Sequence, residues 1–165
     1  MASGDDLVTF PASNGYGDFN NTQAAPAIRN QHFVASFDDT QDEYWIFEGI
    51  MPSWYSGGNI HCGLHWLGAT ATTGDVIWYV AFERILAGTT DIDSDSWDTE
   101  QGGVVDPTDT TSGETAQLTF LLSNGLIDDI AAGDAFRLRL RRNSVHADDD
   151  MVGDAQILFV EILEA

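Results

Sequence analysis

Two histidines, His61 and His65, are the first candidates for metal chemistry in this sequence, because imidazole is a common ligand of zinc. Both fall in a strand-like pattern over residues 59–67, and their even spacing places the two side chains on one face. Four residues of a strand span roughly 13 Å, which is too far for one ion to bridge. We therefore expect a structural role for this pair, at a subunit contact, and predict no metal site.

An acidic run with alternating aspartates, Asp91, Asp93 and Asp95, resembles the start of an EF-hand calcium loop. The resemblance ends at the sixth position, where Ser96 replaces the required glycine, and at the twelfth, where Gly102 replaces the glutamate. We expect a solvated acidic loop, and a calcium site of another kind stays open.

Catalytic motifs are absent from the sequence. It contains no GxSxG elbow, no HExxH pair and no glycine-rich phosphate loop. Cys62 is the only cysteine, so the chain forms no intramolecular disulfide and no cysteine-rich zinc site. We predict a protein that is not an enzyme and uses no cofactor.

The five tryptophans divide into two groups. Three of them fall within strand patterns, where aromatic side chains usually fill the core. The other two, Trp54 and Trp97, stand in a turn and in the acidic run, and Tyr55 follows Trp54. We predict that Trp54, Tyr55 and Trp97 are exposed aromatic contacts, for carbohydrate or for another protein.

The charge balance excludes several partners. The chain has 27 acidic residues against 6 basic ones and a formal net charge of −21. Such a chain is repelled by polyanions, so we expect no binding to nucleic acid or to anionic membranes. The acidic surface suits either a high-salt environment or simple solubility.

Strand patterns separated by Gly, Pro, Asn and Asp clusters cover most of the chain. They predict an all-β fold, a single jelly-roll antiparallel β-sandwich of about eight strands. The predicted strands are residues 32–37, 44–50, 59–67, 75–85, 102–105, 115–122, 135–142 and 155–162. One short helical turn is expected over residues 126–132. Residues 1–31 lack periodicity and predict an N-terminal arm or long loop, which leaves residues 32–165 as the sandwich domain.

Two predicted strands carry a candidate subunit interface. Strand 75–85 is apolar on both faces, so either it is central in its sheet, or Ile77 and Tyr79 on its second face meet another subunit. In strand 135–142, Arg137, Arg139 and Arg141 alternate with apolar residues. Because the chain is so acidic, we interpret these arginines as internal or inter-subunit ion partners.

Four strings of sequence carry a resemblance to a known family. They are WIFEGIMPSWYSGGNIHCGLHW, TTGDVIWYVAFERI and the pair IAAGDAFRLRLRRN with DDDMVGDAQILFVEI. In their order they resemble small single-jelly-roll virion proteins of tailed bacteriophages. The resemblance implies a capsid decoration (cement) protein or another head or tail appendage, usually built as a trimer. We predict a homotrimeric decoration protein that binds the major capsid protein on the outer capsid surface of the virion and is made in the host cytoplasm.

Two alternatives to decoration stay open. One is a carbohydrate- or receptor-binding jelly-roll head of a phage fibre, which would use Trp54, Tyr55 and Trp97. The other is a fibre subunit that assembles by strand donation from its N-terminal segment.

Overall fold

The computed structural model describes residues 4–94, 96–108 and 110–165. Within these residues, eleven strands form two stacked sheets. The strands are β1 (Asp6–Pro11), β2 (Tyr16–Gly17), β3 (Ala25–Arg29), β4 (His32–Phe37), β5 (Glu43–Ile50), β6 (Ile60–Gly68), β7 (Asp75–Ile85), β8 (Gln101–Pro107), β9 (Ala116–Leu122), β10 (Ala135–Arg142) and β11 (Ala155–Glu164).

The strand order confirms the predicted jelly-roll sandwich. Sheet A has the order β3-β4-β11-β6-β9, with β1 paired to the second half of β11, and sheet B has the order β2-β5-β10-β7-β8. All of these strand pairings are antiparallel, and most neighbours are distant in sequence. The eight predicted strands correspond to β4 through β11, with boundaries within two residues.

The core lies between the inner faces of the two sheets. On β10, Phe136, Leu138 and Leu140 are fully buried, as their alternation with arginine predicts. The strand tryptophans Trp45, Trp66 and Trp78 are also buried, which confirms their core assignment. Sheet-on-sheet packing needs such bulky inward side chains to fill the space between the layers.

The N-terminal segment belongs to the sandwich, which corrects the arm or long loop expected over residues 1–31. Here β1 pairs with β11, β2 with β5 and β3 with β4, and both Leu7 and Phe10 are buried in the core. These strands are short and contain proline or glycine, so their own sequence carries little periodicity. These strands pair with strands of their own chain. In this protomer the N-terminal segment therefore occupies the positions that strand donation would fill from a neighbouring subunit.

The helical turn expected over residues 126–132 is also corrected. A 3-10 helix covers Asn124–Leu126 only, and Asp128 and Asp129 adopt left-handed φ values of 58° and 50° that end it. The spacing of Ile127 and Ile130 reflects two side chains inserted into the core. Among the described residues, no helix is long and apolar enough to cross a membrane.

Candidate functional site

The outer face of sheet B gathers most of the candidate residues. Since Phe136, Leu138 and Leu140 point into the core, the three arginines between them project to the other side of β10. The antiparallel register places one residue of β5 and one of β7 beside each arginine. The three rows are Glu48–Arg137–Glu83, Ile46–Arg139–Ala81 and Tyr44–Arg141–Tyr79. We call these nine residues the arginine face.

Every arginine of this face has a carboxylate partner. The pairs are Arg137 with Glu83, Arg139 with Glu100 and Asp18, and Arg141 with Glu100 and Asp42. Both ion pairs of Arg141 measure 2.7 Å. The arginine side chains are 13–17% exposed, so their charges are compensated within the protomer while an edge of each reaches solvent.

Trp97 covers two of the arginines. Its ring centre lies 4.7 Å from the guanidinium carbon of Arg137 and 4.9 Å from that of Arg139, within cation–π distance. Two contacts to strand β7 hold the chain around Trp97. Ser96 donates from its backbone N–H to Glu83 Oε1 over 3.1 Å, and the N–H of Asp98 donates to the backbone oxygen of Phe82 over 2.8 Å. The acidic loop 86–100 therefore returns across the face and orients the indole.

Two tyrosines flank Arg141 in the third row. The ring centre of Tyr79 lies 4.5 Å from the guanidinium carbon and that of Tyr44 lies 5.9 Å from it. Strand β8 leaves room for the Tyr79 ring, because a Cβ atom at Gly103 would lie 2.8 Å from Tyr79 Oη. The face therefore presents flat aromatic rings and fixed guanidinium edges side by side.

A cavity of about 350 Å³ lies at the first row. Glu48, Glu83 and Arg137 line it from the sheet, together with Ile85 at the end of β7 and Ile92 from the acidic loop. Ile92 is 78% exposed. A cavity with charged hydrogen-bonding groups and apolar side chains in its wall is typical of ligand sites.

An aromatic pair, Tyr16 and Phe19, is connected to this cavity through Glu48 of its wall. Phe19 is 79% exposed, and its ring stacks on Tyr16 with centroids 5.9 Å apart. Tyr16 Oη donates a 2.6 Å hydrogen bond to Glu48 Oε1. Burial, followed by the hydrogen bond and charge of Glu48, raises the pKa of Tyr16 to about 12. Sequence reasoning missed this pair, because β2 is only two residues long and its segment shows no period.

Two of the predicted contact residues are not available at the surface. Ile77 is fully buried in the protomer and cannot contact another subunit. Its predicted partner in the interface, Tyr79, is partly exposed on the arginine face. Tyr55 is only 4% exposed, because its ring packs in the core and its hydroxyl donates to the backbone oxygen of Gly58. Trp54 is 40% exposed in the loop after β5.

The candidate metal ligands do not come together. His65 lies 3.1 Å from Glu161 Oε1 on the outer face of sheet A. In the acidic loop, the N–H of Asp93 donates to Asp91 Oδ1 over 3.1 Å, and Asp95 lies outside the described residues. Across the part of the chain with described positions, no three His, Cys, Asp or Glu side chains are grouped to hold a metal ion.

No protein-family model and no curated protein matches the sequence. Many solved structures match over nearly the whole chain, among them three with TM-scores above 0.5. The second N-terminal cellulose-binding domain of a Cellulomonas fimi beta-1,4-glucanase C has 11% identity and a TM-score of 0.55, covering 100% of this chain and 97% of its own. A xylan-binding module, CBM15, has 14% identity and a TM-score of 0.53, with coverage of 96% and 97%. The module CBM6cm-2 of Cellvibrio mixtus lichenase 5A, in complex with cellotriose, has 9% identity and a TM-score of 0.52, with coverage of 97% and 98%.

The TM-scores show that this chain shares the jelly-roll fold of these structures, and at such low identities the likeness shows the fold alone. They do not show the resemblance to phage virion proteins expected from the sequence.

Proposed function

We propose that this protein is a non-catalytic carbohydrate-binding module and that a glycan binds on its arginine face. The observation that carries the proposal is the alternation of aromatic rings and oriented charged groups across one solvent-facing sheet, next to a cavity of about 350 Å³. Sugar rings present apolar C–H faces that pack on aromatic rings, and hydroxyl groups that hydrogen-bond to guanidinium and carboxylate groups.

Phe19 and Glu48, which are linked through Tyr16, supply these two kinds of contact: the ring stacks on a sugar and the carboxylate accepts from a hydroxyl group. The Phe19 ring is open to solvent and is held by its stacking on Tyr16, so it offers a platform with little ordering cost. The exposed Glu48 carboxylate accepts from Tyr16 and retains acceptor capacity for a sugar hydroxyl.

The charge distribution favours a neutral glycan. The three arginines of the face stand among five carboxylates, which are Asp18, Asp42, Glu48, Glu83 and Glu100. A uronate or sulfate group would meet guanidinium groups that are already paired, in a chain of net charge −21. At this face, where each guanidinium is already paired, repulsion of this kind discriminates against an anionic glycan.

Titration calorimetry with soluble neutral β-glucan and xylan, and with polygalacturonate as the anionic control, tests the proposal. We expect binding to at least one neutral glycan and none to polygalacturonate. Phe19→Ala and Trp97→Ala should each weaken binding by about tenfold or more, the equivalent of one lost stacking contact. Phe19→Ala is the decisive variant, since this exposed ring leaves the fold intact when it is removed.

Trp54→Ala is the matched control, because Trp54 is an exposed tryptophan outside the arginine face. It should leave affinity within about twofold of the wild type. If Trp54→Ala were the only variant to lose glycan affinity, the binding site would lie at the loop after β5 and not on the arginine face. Absence of saturable binding to every neutral glycan would contradict the proposal.

Assembly as a homotrimeric decoration protein, in contact with a major capsid protein on the virion surface, stays a prediction. Two features of the protomer count against the predicted interface: Ile77 is buried, and Arg137, Arg139 and Arg141 pair with carboxylates of the same chain. Light scattering at micromolar concentration tests it, with a stable trimer favouring assembly and a monomer opposing it.

A further inference from the structure

A second cavity, of about 380 Å³, lies on the outer face of sheet A, on the other side of the sandwich from the arginine face. The β3–β4 hairpin forms one side of it with Arg29, Asn30 and His32. Asn30 and Gln31 make a two-residue turn with φ values of 43° and 71°, which places Arg29 directly opposite His32. The hairpin therefore aims two basic side chains at one cavity.

The bottom and far wall of this cavity are apolar. Val34 and Leu67 line it and are 0% and 3% exposed, although both point away from the core between the sheets. Leu158 and Phe159 of β11 complete the lining, and the Phe159 ring is 43% exposed. An open cavity with such a lining favours a ligand that has an apolar body.

Arg29 differs from the other arginines in its partners. Five arginines, namely Arg84, Arg137, Arg139, Arg141 and Arg142, each form an ion pair with a carboxylate. Arg29 has no carboxylate within ion-pair distance among the residues with described positions. Its Nη1 donates to neutral oxygens only: the backbone oxygens of Gly68 and Ala69, at 3.3 and 2.7 Å, and Gln156 Oε1 at 3.1 Å.

The rest of the Arg29 guanidinium is positioned to receive an anion. The three bonds from Nη1 fix the plane of the group, and no residue with a described position bonds to its other edge, Nη2 and Nε. A Cβ atom at position 113 would lie 3.0 Å from Nη2, so Gly113, at φ 87°, keeps that edge clear of a side chain. A fixed guanidinium edge matches the two oxygens of a carboxylate.

We propose that this cavity binds a small organic carboxylate with an aromatic or short aliphatic body. The carboxylate bonds to the Nη2–Nε edge of Arg29, with His32 beside it, and the apolar body packs on Leu67, Leu158 and Phe159 above the buried Val34. The ligand class follows from the pairing of one cation with an apolar lining, and it differs from the neutral glycan proposed for the arginine face. The two sites are independent, so either can fail without the other.

The test uses the full chain, with phenylacetate as the probe and 2-phenylethanol as its neutral counterpart, in 0.15 M salt. Amide chemical shifts in ¹H–¹⁵N spectra report both the location and the affinity of binding. We expect saturable phenylacetate shifts at millimolar concentration, confined to the cavity residues. 2-Phenylethanol should bind about fivefold or more weakly, because it lacks the charge that Arg29 recognises.

Two variants separate recognition from folding. Arg29→Gln should abolish the preference for the acid over the alcohol. If its lost bonds to Gly68 and Ala69 disturb the fold, Phe159→Ala provides the second test, since it should weaken both probes about fivefold or more. Leu121→Ala is the matched control, because Leu121 is an apolar side chain, 62% exposed, on a strand of the same sheet outside the cavity. Equal binding of acid and alcohol, shifts elsewhere, or no saturable binding would overturn the proposal.

Discussion

The two sides of strand β10 use the same residue type in opposite ways. Arg137, Arg139 and Arg141 project outward, where they are 13–17% exposed and pair with carboxylates at the surface. Arg142, the next residue, projects inward at the end of the sandwich and its side chain is completely buried. The outward side is the proposed glycan-binding surface, where the charges are compensated, and the inward arginine fixes the loop between β10 and β11.

The hydrogen bonds of Arg142 show how it fixes the loop between β10 and β11. It donates to both carboxylate oxygens of Asp149, at 3.1 and 2.7 Å, and to three backbone oxygens, those of Phe37, Met151 and Gly153. Four of these five bonds go to the loop between β10 and β11, so the arginine fixes that loop to the strand before it. A buried charge persists only when it is satisfied in this way.

The largest expected effect is therefore at the inward end. Arg142→Ala should lower the free energy of unfolding by roughly 3–5 kcal/mol, because it leaves Asp149 as an unpaired charge whose side chain is 1% exposed. Arg141→Ala, one residue away on the other side, should cost about 1 kcal/mol, as for partly exposed ion pairs. Urea unfolding of both variants at pH 7 measures the difference. Equal costs would contradict the contrast between the two sides.

A smaller effect is expected where the outward side is most buried. Glu83 accepts from Arg137 and from Ser96, and its side chain is 1% exposed. Glu83→Gln should cost about 1–3 kcal/mol and speed hydrogen exchange of the Ser96 amide, since charged hydrogen bonds to both partners are weakened. Glu48→Gln, in the same row but exposed, should stay within about 0.5 kcal/mol of the wild type. Unchanged exchange at Ser96 would show that Glu83 does not anchor the acidic loop.

The architecture was predictable wherever a strand carried its own alternation. From Phe136 to Arg141 of β10, apolar residues alternate with arginine, and that period places Phe136 and Arg137 on opposite faces without knowledge of any partner. Strands β1 to β3 could not be predicted, because their stability comes from pairing with β11, β5 and β4 and their own residues include Pro and Gly. The spacing of Ile127 and Ile130 led to the wrong prediction of a helical turn, because two buried side chains in an irregular turn can have the same spacing as in a helix.

The candidate site was predictable in part. The sequence placed Arg137, Arg139 and Arg141 on one strand face and singled out Trp97, and the structure brings these residues together. Which carboxylates pair with them depends on loops, since Asp18, Asp42 and Glu100 come from three different connections. Strand order, which the sequence does not encode locally, also decides that Tyr16 stands next to Glu48.

A third prediction concerns Glu43, a buried carboxylate beside Arg142. Glu43 is the cross-strand neighbour of Arg142 and is 7% exposed. Burial raises its pKa, and the charges of Asp38 and Asp154 act in the same direction. A folded-state pKa above the unfolded value stabilises the fold at low pH, and this contribution is lost as pH rises through the folded-state pKa.

Glu43→Gln should therefore increase the free energy of unfolding at pH 7, by less than Glu83→Gln lowers it. The gain should shrink below pH 4.5, the ordinary value for the group, where Glu43 of the wild type is itself protonated. Urea unfolding at pH 7 and at pH 4 gives the difference between wild type and variant. A gain that is the same at both pH values would exclude ionisation of Glu43 as its cause.

The smallest expected effect tests the exposed end of the arginine face. Tyr16 has a pKa of about 12, raised first by burial and then by its hydrogen bond to Glu48 and the charge of that group. Glu48→Gln should lower the pKa of Tyr16 toward its ordinary value of 10.0 with little change in stability. The absorbance at 295 nm, as the difference between each protein and its Tyr16→Phe variant, isolates this one ionisation from those of the other tyrosines.

The raised pKa of Tyr16 also makes the stability of the fold depend on pH in the alkaline range. Because the folded-state pKa of Tyr16 exceeds the unfolded value, its contribution to stability is complete below pH 10 and is lost as pH rises toward 12. Glu100→Gln is the matched control, since Glu100 bonds to Arg139 and Arg141 and should leave the pKa of Tyr16 unchanged. Ionisation of Tyr16 near pH 10 in the wild type would mean that Glu48 does not hold this hydroxyl in solution. The cavity beside Glu48 would then present a free carboxylate and an untethered Tyr16–Phe19 pair, with a greater ordering cost on glycan binding.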